Sequence, residues 1–176
     1  MHEFTVAQDF PAGLDRLWSV FGHPQYARQK YLAPGATAVR VDQFRSTAAF
    51  IEVELERTIP VDKSQLPAWM RSLVGGAQTL RHHTQWRRTD RMHVAAELDV
   101  SPVGLPVRAR GVASIIETTH ESTRMELDWR VESVLPVVGA KVERLFAEQL
   151  RDALGADHAF TLEYLRQAYL ASLPPK

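Results

Sequence analysis

One stretch leaves this chain little choice of fold. From Val137 to about Leu170 a helical pattern runs without an internal proline. At 100° per residue, Val142, Phe146, Leu150, Ala153, Phe160, Tyr164 and Ala168 gather on one side, and Arg144, Glu148, Arg151 and Arg166 on the other. Unbroken, such a helix is roughly 50 Å long. Its wide apolar stripe needs a surface to cover it, and the preceding residues must supply one. Gly155 is the weak point. A mid-helix glycine costs about 1 kcal/mol, so the helix either continues through it or bends there.

The preceding residues have the pattern of strands. Phe4, Val6, Gln8 and Phe10 alternate with Glu3, Thr5, Ala7 and Asp9, which predicts a strand with one mostly apolar face. Pro11 ends it. Leu14, Leu17, Trp18 and Phe21 then recur at helical spacing up to Gly22, and His23-Pro24 opens a second short helix carrying Tyr26, Tyr31 and Leu32. Thr37, Val39 and Val41 mark one strand. Ala49, Ile51, Val53 and Leu55 mark the next, with Glu52, Glu54 and Glu56 opposite. The piece Ser64–Val74, with Leu66, Trp69, Met70 and Leu73, is expected to form a short amphipathic helix, hinged at Gly75-Gly76. Four longer strands follow, at about 78–89, 91–101, 107–119 and 123–133.

Alternation assigns their faces. Leu80, His82, Thr84 and Trp86 share one side with Met92, Val94, Ala96, Leu98 and Val100. Val107, Ala109, Gly111, Ala113 and Ile115 continue it, as do Met125, Leu127, Trp129 and Val131. The other side carries Arg81, Arg87, Glu97, Asp99, Arg108, Arg110, Arg124, Glu126, Asp128, Arg130 and Glu132. One face of an antiparallel sheet is therefore wet and the other dry. Nothing divides the 176 residues into more than one domain.

Composition removes several function classes. Basic and acidic residues balance at 21 each, which argues against nucleic acid or an anionic membrane as partner. There is no cysteine, hence no disulfide, thiol nucleophile or thiolate metal site. Glu3 and Asp9 interrupt the N-terminal apolar positions, against a signal peptide. No apolar run approaches the roughly 20 residues of a membrane span, so stable membrane insertion is not expected. A cytoplasmic, bacterial protein is the default expectation. Its oligomeric state is not legible.

The order of strand, two short helices, six strands and a long C-terminal helix resembles the START/Bet v 1-like superfamily, also called SRPBCC or helix-grip. Phe10-Pro11-Ala12, Leu17-Trp18 and His23-Pro24-Gln25-Tyr26 add to the likeness. The resemblance covers nearly the whole chain, and one bacterial branch of uncharacterised domains has about this size. It implies an α+β fold in which a curved antiparallel sheet of about seven strands wraps around the C-terminal helix. It also implies a cavity between the two, where many members hold lipids, steroids or other apolar ligands. The segment Pro60–Gly76 falls where such proteins often carry a portal or lid.

Catalytic signatures are sparse. No nucleophile elbow, glycine-rich phosphate loop or zinc-protease helix motif is present, and no cofactor is expected. His82 and His83 are adjacent in a strand and point to opposite faces, so they cannot chelate one ion together. His93 and Glu97 share the charged face, where a solvated salt-bridge lattice is the simpler reading. His82 lies on the apolar face, either as a polar group in a cavity or as a half-buried histidine bonded to a neighbour. Asp157 falls in the helix stripe, with Gln149 at its edge. Both are polar anchors if the helix is straight, whereas a bend at Gly155 would turn Asp157 to water. Trp86 and Trp129 line either a cavity or an ordinary core. Glycine at 111 fits sheet curvature or room for a ligand.

These observations favour a binding module for a small hydrophobic or amphipathic ligand, lipid-like or polyketide/aromatic. The expected lining is His82, Thr84, Trp86, Val94, Ala96, Leu98, Ala109, Gly111, Ala113, Leu127, Trp129, Phe146, Gln149, Leu150, Ala153 and Asp157. Small residues mid-strand predict a cavity of roughly 300 Å³ or more beneath the helix. The alternatives are a cyclase- or isomerase-type enzyme with His82 and Asp157 as acid and base, and an interaction protein with a filled core. The latter would make contact through the Pro102–Pro106 tip or the Ser64–Val74 segment.

Overall fold

The computed structural model describes residues 1–72 and 74–172, the side chains of residues 65 and 169–172 excepted. Strand β1 (His2–Phe10) is followed by helices α1 (Leu14–Phe21) and α2 (Pro24–Leu32). Strands β2 (Ala38–Ser46), β3 (Phe50–Pro60), β4 (Ala77–Arg88), β5 (His93–Pro102), β6 (Val107–Thr119) and β7 (Ser122–Ser133) come next, and helix α3 (Gly139–Ser172) closes the chain. The strands form one antiparallel sheet in the order β1-β7-β6-β5-β4-β3-β2. This is the helix-grip arrangement.

The alternation sorts the faces physically. In β6 and β7, Val107, Ala109, Ala113 and Ile115 and Met125, Leu127, Trp129 and Val131 are buried, while their charged neighbours face water. On the wet face Arg40 and Arg81 both reach Glu56, at 2.9 and 2.8 Å, and His83 lies 3.0 Å from Glu52. His93 pairs with Asp90 at 2.8 Å rather than with Glu97. Among the described residues, no group of three His, Asp or Glu side chains could hold a metal ion. None of the described helices is long and apolar enough to cross a membrane.

Helix α3 runs unbroken through Gly155. A Cβ built on that glycine meets nothing within 4 Å, so the residue lies on the open side and its lack of a side chain removes no packing. The covered stripe is wider than one row. Val142, Ala147, Leu150, Leu154, Thr161 and Leu165 are buried, and Phe146, Ala153, Phe160 and Tyr164 flank them half-buried. Ala168, expected in the stripe, is exposed. Glu143, just past the first turn, accepts the Ser133 backbone N–H at 2.9 Å and fixes the start of the helix to the end of β7.

Two local expectations are corrected. Segment 64–72 is not an α-helix. A 3-10 turn spans Lys63–Gln65, capped by the Asp62 carboxylate, and further turns follow it. Leu66 precedes Pro67 and takes the extended conformation that a following proline imposes (φ −88°, ψ 143°). Leu66, Met70 and Val74 still bury together, with Val61, Trp69, Leu105 and Leu145 against them. Leu73 lies outside the described residues. Met92, placed by alternation on the dry face, sits instead in the β4–β5 turn, half exposed, its N–H bonded to the Asp90 carboxylate.

Candidate functional site

Between α3, α2 and the inner sheet face lies a chamber of about 100 Å³. Its apolar wall comes from Phe10, Phe21, Trp86, Leu98, Met125 and Leu127 on one side and Leu150, Ala153 and Leu154 on the other. A second hollow of about 380 Å³ adjoins it under the 61–74 segment, walled by Leu66, Met70, Leu105, Leu145 and Phe146. The two share Val100, Leu150 and Ala153. They lie side by side beneath α3 with those three residues as common wall, His82 bordering the inner compartment and Arg57 the outer one, and the pair is called the groove.

The structure brings many of the expected lining residues together. His82, Thr84, Trp86, Leu98, Leu127, Trp129, Leu150, Ala153 and Asp157 face the inner compartment. Phe146 and Gln149 line the outer one, with Gln149 exposed at its rim. Val94, Ala96, Ala109 and Ala113 do not reach either compartment. They are packed into the main apolar core. Gly111 does not leave room for a ligand either. It pairs with Trp129 across β6 and β7, and a Cβ on it would stand 2.9 Å from the indole ring. The tryptophan occupies the space that the glycine leaves. The enclosed compartment is therefore smaller than the small residues alone predict.

The polar side of the chamber is built largely from residues that sequence reasoning passed over. Lys30 of α2 lies 3.6 Å from Asp157 of α3. Burial opposes the Lys30 charge, but the oxygens of Tyr31, Asp157 and Tyr26 around it outweigh that and hold its pKa above the usual lysine range. Burial pushes the Asp157 carboxyl up, against the pull of Lys30 and Arg57. The Tyr26 hydroxyl bonds Thr161 at 2.7 Å, and burial lifts its pKa to about 12. The Tyr31 ring is the hub. Lys30 Nζ sits 4.7 Å from its centre, the Arg57 guanidinium 4.6 Å and the His82 ring 4.9 Å.

His82 is buried, and burial first, then the charges of Arg57 and Lys30, hold its pKa well below 6.5. It is a neutral imidazole at neutral pH. Among the described residues its Nε2 has no hydrogen-bond partner, and neither do Asp157 Oδ1, Trp129 Nε1 and Arg57 Nε. Buried polar atoms in proteins are in the great majority paired with protein groups or ordered water, and these four belong to residues that border the two compartments.

Residues 5–165 match the family described as "Protein of unknown function (DUF2505)", and the chain belongs to it. Among curated proteins, none matches. Solved structures show the fold. The crystal structure of a protein from Thermus thermophilus superposes with a TM-score of 0.60 at 13% identity, covering 98% of this chain and 100% of that one. The Zhui aromatase/cyclase from Streptomyces sp. R1128 gives 0.61 at 12% identity, covering 94% of each. A START superfamily protein from Mycobacterium smegmatis gives 0.55 at 16% identity, covering 94% of this chain and 99% of that one. The START/Bet v 1-like fold expected from the sequence is the fold observed.

Proposed function

We propose that this DUF2505 member is a cytoplasmic binding protein for a small amphipathic molecule, held in the groove beneath α3. One observation carries the reading. An apolar wall of aliphatic and aromatic side chains surrounds buried polar atoms that the described residues leave unpartnered. A filled hydrophobic core has no reason to keep such atoms, since each unsatisfied group costs about 1–3 kcal/mol. A ligand with an apolar body and one polar end satisfies both halves of the wall.

Ala153 borders both compartments and offers the test. The neutral fluorophore N-phenyl-1-naphthylamine should bind the parent protein and brighten. Ala153→Phe should weaken that binding about tenfold or more by filling the neck of the groove. Circular dichroism checks that the variant stays folded. Unchanged binding in a folded Ala153→Phe protein would place the probe elsewhere and remove the groove as the site. A native mass spectrum of freshly purified protein should show the natural ligand as an adduct lost on denaturation.

An enzymatic use of the same groove has one observation in its favour. His82 and Asp157 both face the inner compartment, one a neutral imidazole and the other a carboxyl with a raised pKa. Turnover of a bound ligand that is lost in His82→Gln, with its binding retained, would distinguish catalysis from carriage.

A further inference from the structure

Arg57 is a buried charge that makes no direct ion pair with a described carboxylate, although it lies near enough to Asp157 to draw that carboxyl's pKa down. It follows Ile51, Val53 and Leu55 at the next alternate position of β3, so the pleat turns it to the inner face. It is only 7% exposed. No described carboxylate lies in ion-pair range of it, and its Nε has no hydrogen-bond partner. Its neighbour is the Tyr31 ring, which is also in contact with Lys30 and His82. In the β3–β4 register Leu55 faces His82 and Arg57 faces Leu80. Arg57 and His82 are thus diagonal neighbours on one face. His82 is 6% exposed, with Nε2 unpartnered.

Counting charge gives the sign of the missing group. Arg57 and Lys30 supply two positive charges. Asp157 supplies at most one negative charge, shared between Lys30 at 3.6 Å and the more distant Arg57. Asp62 and Asp152 border the outer compartment but are exposed to water, where their fields are screened. At least one buried positive charge is left over. An uncompensated buried charge is strongly unfavourable, and a guanidinium fits an oxyanion through its forked donors better than any neutral group.

We propose that Arg57, with His82 beside it, forms the pole that receives one oxyanion, so that the groove's ligand is an amphipathic acid. The acid group is a carboxylate, sulfonate or phosphate ester, and the apolar body lies beneath α3. An oxyanion next to the neutral imidazole selects the tautomer with its proton on Nε2 and gives that orphan atom a partner. An amine-headed ligand is repelled. The inference rests on the reading of the groove as a ligand site, and it names the class of ligand.

Two fluorophores on one aromatic framework separate the two statements. 1-Anilinonaphthalene-8-sulfonate carries the acid, and N-phenyl-1-naphthylamine does not. The acid should bind the parent protein about tenfold or more tighter than the neutral probe, the scale of a charge-assisted hydrogen bond. Arg57→Met, similar in volume and without a charge to bury, should erase that preference while the neutral probe still binds. Arg57→Lys should retain part of it. Decanoate should displace the acid probe, whereas decanol and inorganic phosphate should not. If phosphate alone displaces it, the pole takes a free ion and the amphipathic acid is wrong. If the neutral probe binds and Arg57→Met leaves the acid probe untouched, the oxyanion pole fails and the groove stands. If neither probe binds the parent protein, the groove reading fails and the inference goes with it.

Discussion

Lys30 Nζ lies 3.6 Å from Asp157 Oδ2, joining the middle of α3 to the last turn of α2 across the inner end of the groove. Both side chains are mostly buried, at 21% and 17% exposure, so each needs the other. Lys30→Met should destabilise the protein by about 2 kcal/mol, since removing one partner leaves a half-buried carboxylate alone. Asp157→Leu should cost a similar amount. The double variant should recover most of the loss, because an apolar pair of similar volume is often as good as a buried ion pair. Urea unfolding of the four proteins measures this, and strictly additive losses would show that the two side chains do not depend on each other.

His82 sets a pH dependence. Its folded pKa is held well below 6.5 by burial, then by Arg57 and Lys30. As pH falls below 6.5, the unfolded chain takes up a proton that the folded protein refuses. Stability is therefore full above that value and falls on acidification by about 1.4 kcal/mol per pH unit while the difference lasts. Asp157 works in the opposite sense, because burial raises its folded pKa above 3.8. His82→Leu should flatten the slope between about pH 6.5 and 5. An equal slope in that variant would assign the acid sensitivity to other groups.

The architecture was legible because two periods were clean. Alternation from Leu80 to Val131 sorted the dry face from the wet one, and the 3.6-residue repeat after Val137 located α3. Asp157 could be placed only once Gly155 proved to lie on the open side of the helix, which no pattern states. Arg57 and Lys30 were missed for physical reasons. An arginine after Ile51, Val53 and Leu55 looks like the end of an apolar run, although the pleat continues through it. Helix α2 has almost no apolar stripe, so nothing marks Lys30 as an inward residue. Ala109, Gly111 and Ala113 were misjudged because their emptiness depends on cross-strand register. Gly111 faces Trp129, and alternation alone does not say which residues meet.

Gly155→Ala should stabilise the protein. The position is helical, its φ is not positive, and an added Cβ meets nothing within 4 Å. The gain is about 0.5–1 kcal/mol, from helix propensity and a less flexible unfolded chain. Thermal unfolding should shift upward, by roughly 1–4 °C for a chain of this size. A downward shift would mean that the helix bends at Gly155 in solution and uses the glycine's freedom.

Gly111→Ala should do the reverse, and it links the sheet to the groove. The new Cβ would stand 2.9 Å from Cδ2 and Cε2 of Trp129, closer than real contacts allow. The indole is 3% exposed, lies over Gly111 and also walls the inner compartment, so it has to move. Overpacking of this kind costs about 1–3 kcal/mol. Any shift away from the sheet carries the ring into a compartment of only about 100 Å³. Binding of N-phenyl-1-naphthylamine should therefore weaken in Gly111→Ala even where the protein remains fully folded. Shrinking the ring in the same background, with Gly111→Ala and Trp129→Phe together, should restore part of the stability and part of the binding. A Gly111→Ala protein of unchanged stability and unchanged affinity would show that Trp129 does not fill the glycine's place.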